Sequence, residues 1–107
     1  VLFRSEHIPS VEEMQTVAMA MKHLGDPVRL RIFWILCHHE VCVMELAEMT
    51  QMSSPAVSHH LRLLKTANLI CSKRNGKEMY YRAYDSELVN FLHHTIEDIA
   101  KITCPQK

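Results

Sequence analysis

Residues 53–82, SSPAVSHHLRLLKTANLICSKRNGKEMYYR, constrain the fold more tightly than any other part of the chain. Segments 69–74 and 77–83 are strand-like. Asn75-Gly76 lies between them, and because both residues tolerate positive φ this pair is the strongest short signal for a hairpin. Just upstream, Ser54-Pro55 opens a helix that runs to about Thr66, with Asn68 as a left-handed stop. The same stretch holds the excess positive charge. Arg62, Lys65, Lys73, Arg74, Lys77 and Arg82 face only Glu78, a net +5 in a neutral chain whose other 77 residues therefore sum to −5. This is not a general polycation. One basic element is offered to a polyanion, and a helix followed by a basic hairpin is a shape that duplex DNA accepts.

The flanking sequence is helical. Ser10-Val11-Glu12-Glu13 is a capping-box signature. Val11, Met14, Val17, Ala18, Met21 and Leu24 then recur at helical spacing until Gly25 ends the stripe. Asp26-Pro27 supplies a cap and a first-turn proline for a second helix, LRIFWILC, apolar almost all round and hence the core helix. A turn over 38–41 leads to a short third helix near Met44 to Met49, and 50–53 form a polar turn before the fourth. A last helix is expected from about Ser86 to Ile102, with Leu88, Phe91, Leu92, Thr95, Ile96, Ile99 and Ile102 as its apolar stripe. The reading is mainly α with a small β-hairpin: α1 (11–24), α2 (27–37), α3 (44–49), α4 (54–66), a β-wing (69–83) and α5 (86–102). That order is a winged helix-turn-helix.

A chain of 107 residues is one domain by length, read here as residues 8–104. It is 48% hydrophobic with seven Met, enough for a core and a surface left for a partner. No apolar run approaches the roughly 20 residues of a membrane span. No signal peptide is visible, so a cytoplasmic location is expected. Cys37, Cys42, Cys71 and Cys104 are irregularly spaced without a CxxC, which favours free thiols over a disulfide framework. Eight histidines, with adjacent pairs at 38–39, 59–60 and 93–94, make metal binding worth testing. There is no Gly-rich phosphate loop, nucleophile elbow or HExxH, and the chain is read as a non-enzyme.

Helices three and four form the helix-turn-helix unit, whose second helix enters the major groove by its N-terminal half. Ser54, Ala56, Ser58 and His59 stand there: small side chains admit the backbone to the base edges, Ser and His hydrogen-bond, and Ala56 can meet a thymine methyl. Val57, Leu61 and Leu64 are expected to face inward. Arg62 and Lys65 suit the DNA backbone, and Lys73, Arg74 and Lys77 around the wing tip suit phosphates or a minor groove. The competing reading, a winged-helix module that binds protein rather than DNA, would lack salt-dependent duplex binding.

These motifs resemble the ArsR/SmtB family of metalloregulatory repressors. The resemblance spans about residues 15–103 and is carried by LGDPVRLRIFWIL (24–36), VCVMELAE (41–48), SSPAVSHHLRLLKTANLI (53–70) and KRNGKEMYYR (73–82). It implies a homodimer through α1 and α5, a pseudo-palindromic operator, and an inducer that drives release. It carries the DNA role onto Ser54, Ala56, Ser58, His59, Lys73, Arg74 and Lys77.

The family's two sensing sites are both altered. Where the thiolate motif has a second Cys, Glu40-Val41-Cys42-Val43-Met44-Glu45-Leu46 has Met44. The positions of the α5 zinc site are Asp85, Glu87, Asp98 and Lys101, three carboxylates and a cation, which is not a zinc site. The expected inducer is a soft or transition metal ion such as zinc or cadmium, held by Cys37, Cys42 and Cys104 with His94. The alternative is a thiol-redox or persulfide response that uses Cys37 and Cys104.

Overall fold

The computed structural model describes residues 8–101. Its order is α1 (Val11–His23), α2 (Pro27–Leu36), β1 (Val41–Cys42), α3 (Val43–Thr50), α4 (Ser54–Thr66), β2 (Ile70–Asn75), β3 (Glu78–Ala83) and α5 (Glu87–Ala100). This is a winged helix-turn-helix, as the sequence predicts.

Local chemistry sets most element ends. The Ser10 hydroxyl accepts from the Glu13 amide at 3.1 Å while the Glu13 carboxylate accepts from the Ser10 amide at 2.7 Å, a complete capping box. Asp26 accepts from the amides of Val28 and Arg29 at 2.9 and 3.0 Å, with Pro27 in the first turn of α2. The cap of α4 is Ser53 rather than Ser54: its hydroxyl accepts from the Ala56 amide at 3.3 Å. Gly25 acts by close approach and not by positive φ, since a Cβ there would stand 3.3 Å from the Met21 carbonyl oxygen. Asn68 adopts the left-handed conformation expected of it, φ 62°. Lys101 does the same at φ 57° and closes α5 just short of the expected Ile102.

The wing departs from expectation in register. Asn75 pairs with Glu78, so the two-residue loop is Gly76-Lys77, and positive φ falls on Gly76 alone. A glycine at the first loop position suffices for this turn, so Asn75 is left in the ladder. The sheet also has a third strand that the sequence reading missed. β1 pairs antiparallel with β3 through Val41–Tyr81 and Cys42–Tyr80, giving the order β1-β3-β2. Two residues are too few for an alternating pattern to register.

The core is built on α2. Ile32, Phe33 and Leu36 are sealed from solvent in one cluster with Leu46 of α3, Val57, Leu61 and Leu64 of α4, and Leu69 and Ile70 at the wing entrance. The two outer helices contribute little: Ala20 is the buried residue of α1, and Val89 and Glu97 are those of α5. The inward face of α5 is thus 89, 92, 93, 96 and 97. Much of the expected apolar stripe faces out, with Phe91 68% and Ile99 77% exposed.

Leu64 is fully buried beneath α4. Leu64→Ala is expected to cost about 2–5 kcal/mol, read from urea unfolding at fixed protein concentration.

Candidate nucleic-acid interface and an adjoining histidine–glutamate cluster

The amphipathic pattern of α4 separates two jobs. Val57, Leu61 and Leu64 are buried, while Ser54, His59, Arg62 and Lys65 are exposed and Ala56 and Ser58 are half-buried. Lys73, Arg74 and Lys77 are exposed around the tip of the wing. Two of these cations also hold protein groups. Lys65 Nζ donates to Ser72 Oγ at 2.6 Å and ties the end of α4 to β2. Lys73 Nζ lies 3.8 Å from Glu40, an exposed pair worth little to stability.

The adjacent histidines of α4 differ. His59 is solvent-facing, whereas His60 Nδ1 accepts from Arg29 Nε at 3.2 Å, and the same guanidinium donates to the His23 carbonyl at 3.0 Å. Arg29 therefore pins α1, α2 and α4 together, and His60 is part of that pin. Burial first, and Arg29 second, hold both His23 and His60 below the usual imidazole range.

Three of the four donors expected from sequence for a metal lie among the described residues. Cys37 is the half-buried C-cap of α2, and Cys42 is buried at the start of α3. His94 is exposed, its ring stacked on His93 at 5.2 Å. Cys104 lies outside the described residues. Among the described residues, His38, His93 and Glu97 form the one three-donor group. Glu97 is only 8% exposed. Its Oε2 accepts from Trp34 Nε1 at 3.1 Å and lies 2.9 Å from His93 Nε2 and 3.3 Å from His38 Nε2. The two Nε2 atoms are 2.9 Å apart.

Trp34 and His38 are four residues apart at the end of α2 and just beyond it, and His93 and Glu97 are four apart on α5. Each pair shares a helical face. That doubled i,i+4 pattern was the sequence signal for the cluster. Choosing His93 over its neighbour His94 needed the rotation of α5. His38 and His93 also line an open cleft of about 310 Å³, together with Cys37, His39 and Asp85.

Because the folded state holds His23 and His60 low, the unfolded chain binds more protons once the pH falls through the ordinary imidazole range. Stability is complete above about pH 6.5 and is lost on acidification below it. Urea midpoints at about pH 7.5 and about pH 5.5 are expected to show this loss, and His60→Gln, which keeps an acceptor for Arg29, is expected to reduce it.

The family model described as "Bacterial regulatory protein, arsR family" matches residues 26–72. A transcriptional repressor SmtB homolog from Synechocystis sp. is 35% identical over 91 residues, covering 85% of this chain and 68% of that protein. The arsenical resistance operon repressor of Staphylococcus xylosus is 31% identical over 90 residues, covering 84% and 83%. Among solved structures, the homodimeric winged helix-turn-helix DNA-binding domain of a possible ArsR-family regulator from Mycobacterium bovis superposes with a TM-score of 0.77. It is 28% identical and covers 94% of this chain and 91% of that one. With these matches spread along the helix-turn-helix and the wing, the chain belongs to the ArsR/SmtB family of DNA-binding winged helix-turn-helix transcriptional repressors.

Proposed function

We propose that the protein acts as a homodimer that represses transcription from a pseudo-palindromic operator and leaves it when an inducing metal ion binds. The observation that carries the DNA part is the division of α4 into a buried Val57–Leu61–Leu64 face and an outer face of small, hydrogen-bonding and cationic side chains beside a basic wing. Ser54, Ala56, Ser58 and His59 read base edges. Arg62, Lys65, Lys73, Arg74 and Lys77 hold phosphates and set the register. His60 is assigned no base contact, because its ring serves Arg29.

The dimer reading rests on exposed apolar surface. Val11, Met14, Val17 and Met21 on α1 and Leu88, Phe91 and Ile99 on α5 stand in solvent. The structural relative from Mycobacterium bovis is homodimeric. A two-fold dimer presents two recognition helices, and their spacing must match the operator half-sites. An ion that favours a different spacing lowers operator affinity, and a hundredfold loss needs only about 2.7 kcal/mol of coupling. The metal part is supported by the relative that represses an arsenical resistance operon and by the His–Glu cluster.

Fluorescence anisotropy on the duplex upstream of the protein's own gene tests the reading. Binding is expected to weaken steeply with salt, and Arg74→Ala to flatten the log–log salt slope by about one unit. Ser58→Ala with His59→Ala is expected to lower operator affinity while leaving affinity for unrelated duplex nearly unchanged. An absence of salt-dependent duplex binding would turn the assignment toward a protein-binding winged helix.

A further inference from the structure

We propose that His38, His93 and Glu97 of a single protomer form a binding site for a divalent transition ion of the zinc, cobalt and nickel class, fastening the end of α2 to α5. As an inducer site it rests on the repressor reading above; as a metal site it stands on its own geometry.

The three donor atoms are already spaced as ligands. An ion about 2.0–2.1 Å from each ligand needs ligand–ligand separations of roughly 2.9 Å at right-angle coordination and roughly 3.3 Å at tetrahedral coordination. The observed triangle has sides of 2.9, 2.9 and 3.3 Å. Hydrogen bonding alone accounts for the triangle less well. Only one proton can lie between two imidazole nitrogens 2.9 Å apart, while Glu97 Oε2 is within reach of both.

The donor chemistry selects the ion. Two imidazoles and one carboxylate suit borderline ions; calcium and magnesium prefer oxygen alone, and the softest ions prefer thiolates. Trp34 supports the set, because its indole N–H holds the Glu97 oxygen in place as an outer group does around a bound ion. The open cleft beside His38 and His93 gives access from solvent and room for water at the remaining coordination positions.

The location links the site to both working surfaces. Only two residues separate His38 from Val41, where β1 joins β3 of the wing. His93 and Glu97 stand on the inner face of α5, and the outer face of that helix carries Phe91 and Ile99. An ion there sets how α5 lies on α2, and through α5 the proposed dimer spacing. The proposed donor set is two imidazoles and one carboxylate, with no thiolate among its three ligands.

Trp34 is the only tryptophan of the chain, so its emission reports directly on Glu97. Reduced, chelator-stripped protein would be titrated with zinc chloride, followed by Trp34 emission, and with cobalt chloride, followed by visible absorption. The expected result is one ion per chain. His93→Gln is expected to lower affinity by roughly 100-fold or more, beyond the usual loss from an outer-group change. The combined Cys37→Ser, Cys42→Ser and Cys104→Ser variant is expected to bind as the parent does. Circular dichroism establishes that each variant is folded, and His38→Gln serves if His93→Gln is not. Affinity unchanged in a folded His variant, affinity lost in the cysteine variant, or no binding by the parent overturns the site. Operator anisotropy on the same samples separates the two readings: a bound ion with no operator binding at all refutes the repressor reading and leaves the site standing.

Discussion

Packing around α2 carries the rest of the molecule. Its inner residues Ile32, Phe33 and Leu36 are excluded from water together with Leu46, Leu61 and Leu64, and burial of that order is worth about 1.5–3 kcal/mol for each such side chain. This anchors α4 by three points, Val57, Leu61 and Leu64, and leaves its opposite face free for polar side chains. An interface helix of this kind needs rigid support, because base-edge contacts carry specificity only when their positions are held.

Two polar junctions occupy the ends of α2, and both are built from histidine. At its start, Arg29 bonds His60 and the His23 carbonyl and so ties the middle of α4 to the end of α1. Beyond its end, His38 meets His93 and Glu97 of α5, with Trp34 one turn back. Burying a carboxylate costs several kcal/mol unless its partners repay it. Glu97 has those partners, yet a well-packed apolar residue would hold α5 at lower cost. The polar solution joins the end of α2 to α5 through directional contacts, which fix an orientation that apolar packing alone does not.

The same economy explains why α1 and α5 look unfinished. Each gives only one or two residues to the core, and each exposes large apolar side chains such as Val11 at 73% and Ile99 at 77%. Exposed apolar surface concentrated on two helices signals a partner surface. Placing the His–Glu cluster on the inner face of α5 sets it directly behind that surface.

Features governed by neighbouring residues were legible in the chain itself: the capping box at Ser10, the Asp26-Pro27 start, the left-handed Asn68, the inward triad of α4 and the basic wing all follow from backbone chemistry within a few positions. The family motifs lie in the same segments. The hairpin was legible but displaced by one residue, because Asn75 and Gly76 satisfy either register locally and only pairing with β3 chooses between them. β1 escaped because a two-residue strand exists only through its partner. The i,i+4 spacing puts Trp34 with His38, and His93 with Glu97, on shared helical faces, but it does not join the two pairs. His38 lies 55 residues from His93, both have an adjacent histidine, and which ring turns inward depends on how α5 crosses α2. That crossing is set by packing between distant segments, so tertiary structure alone brought His38, His93 and Glu97 together.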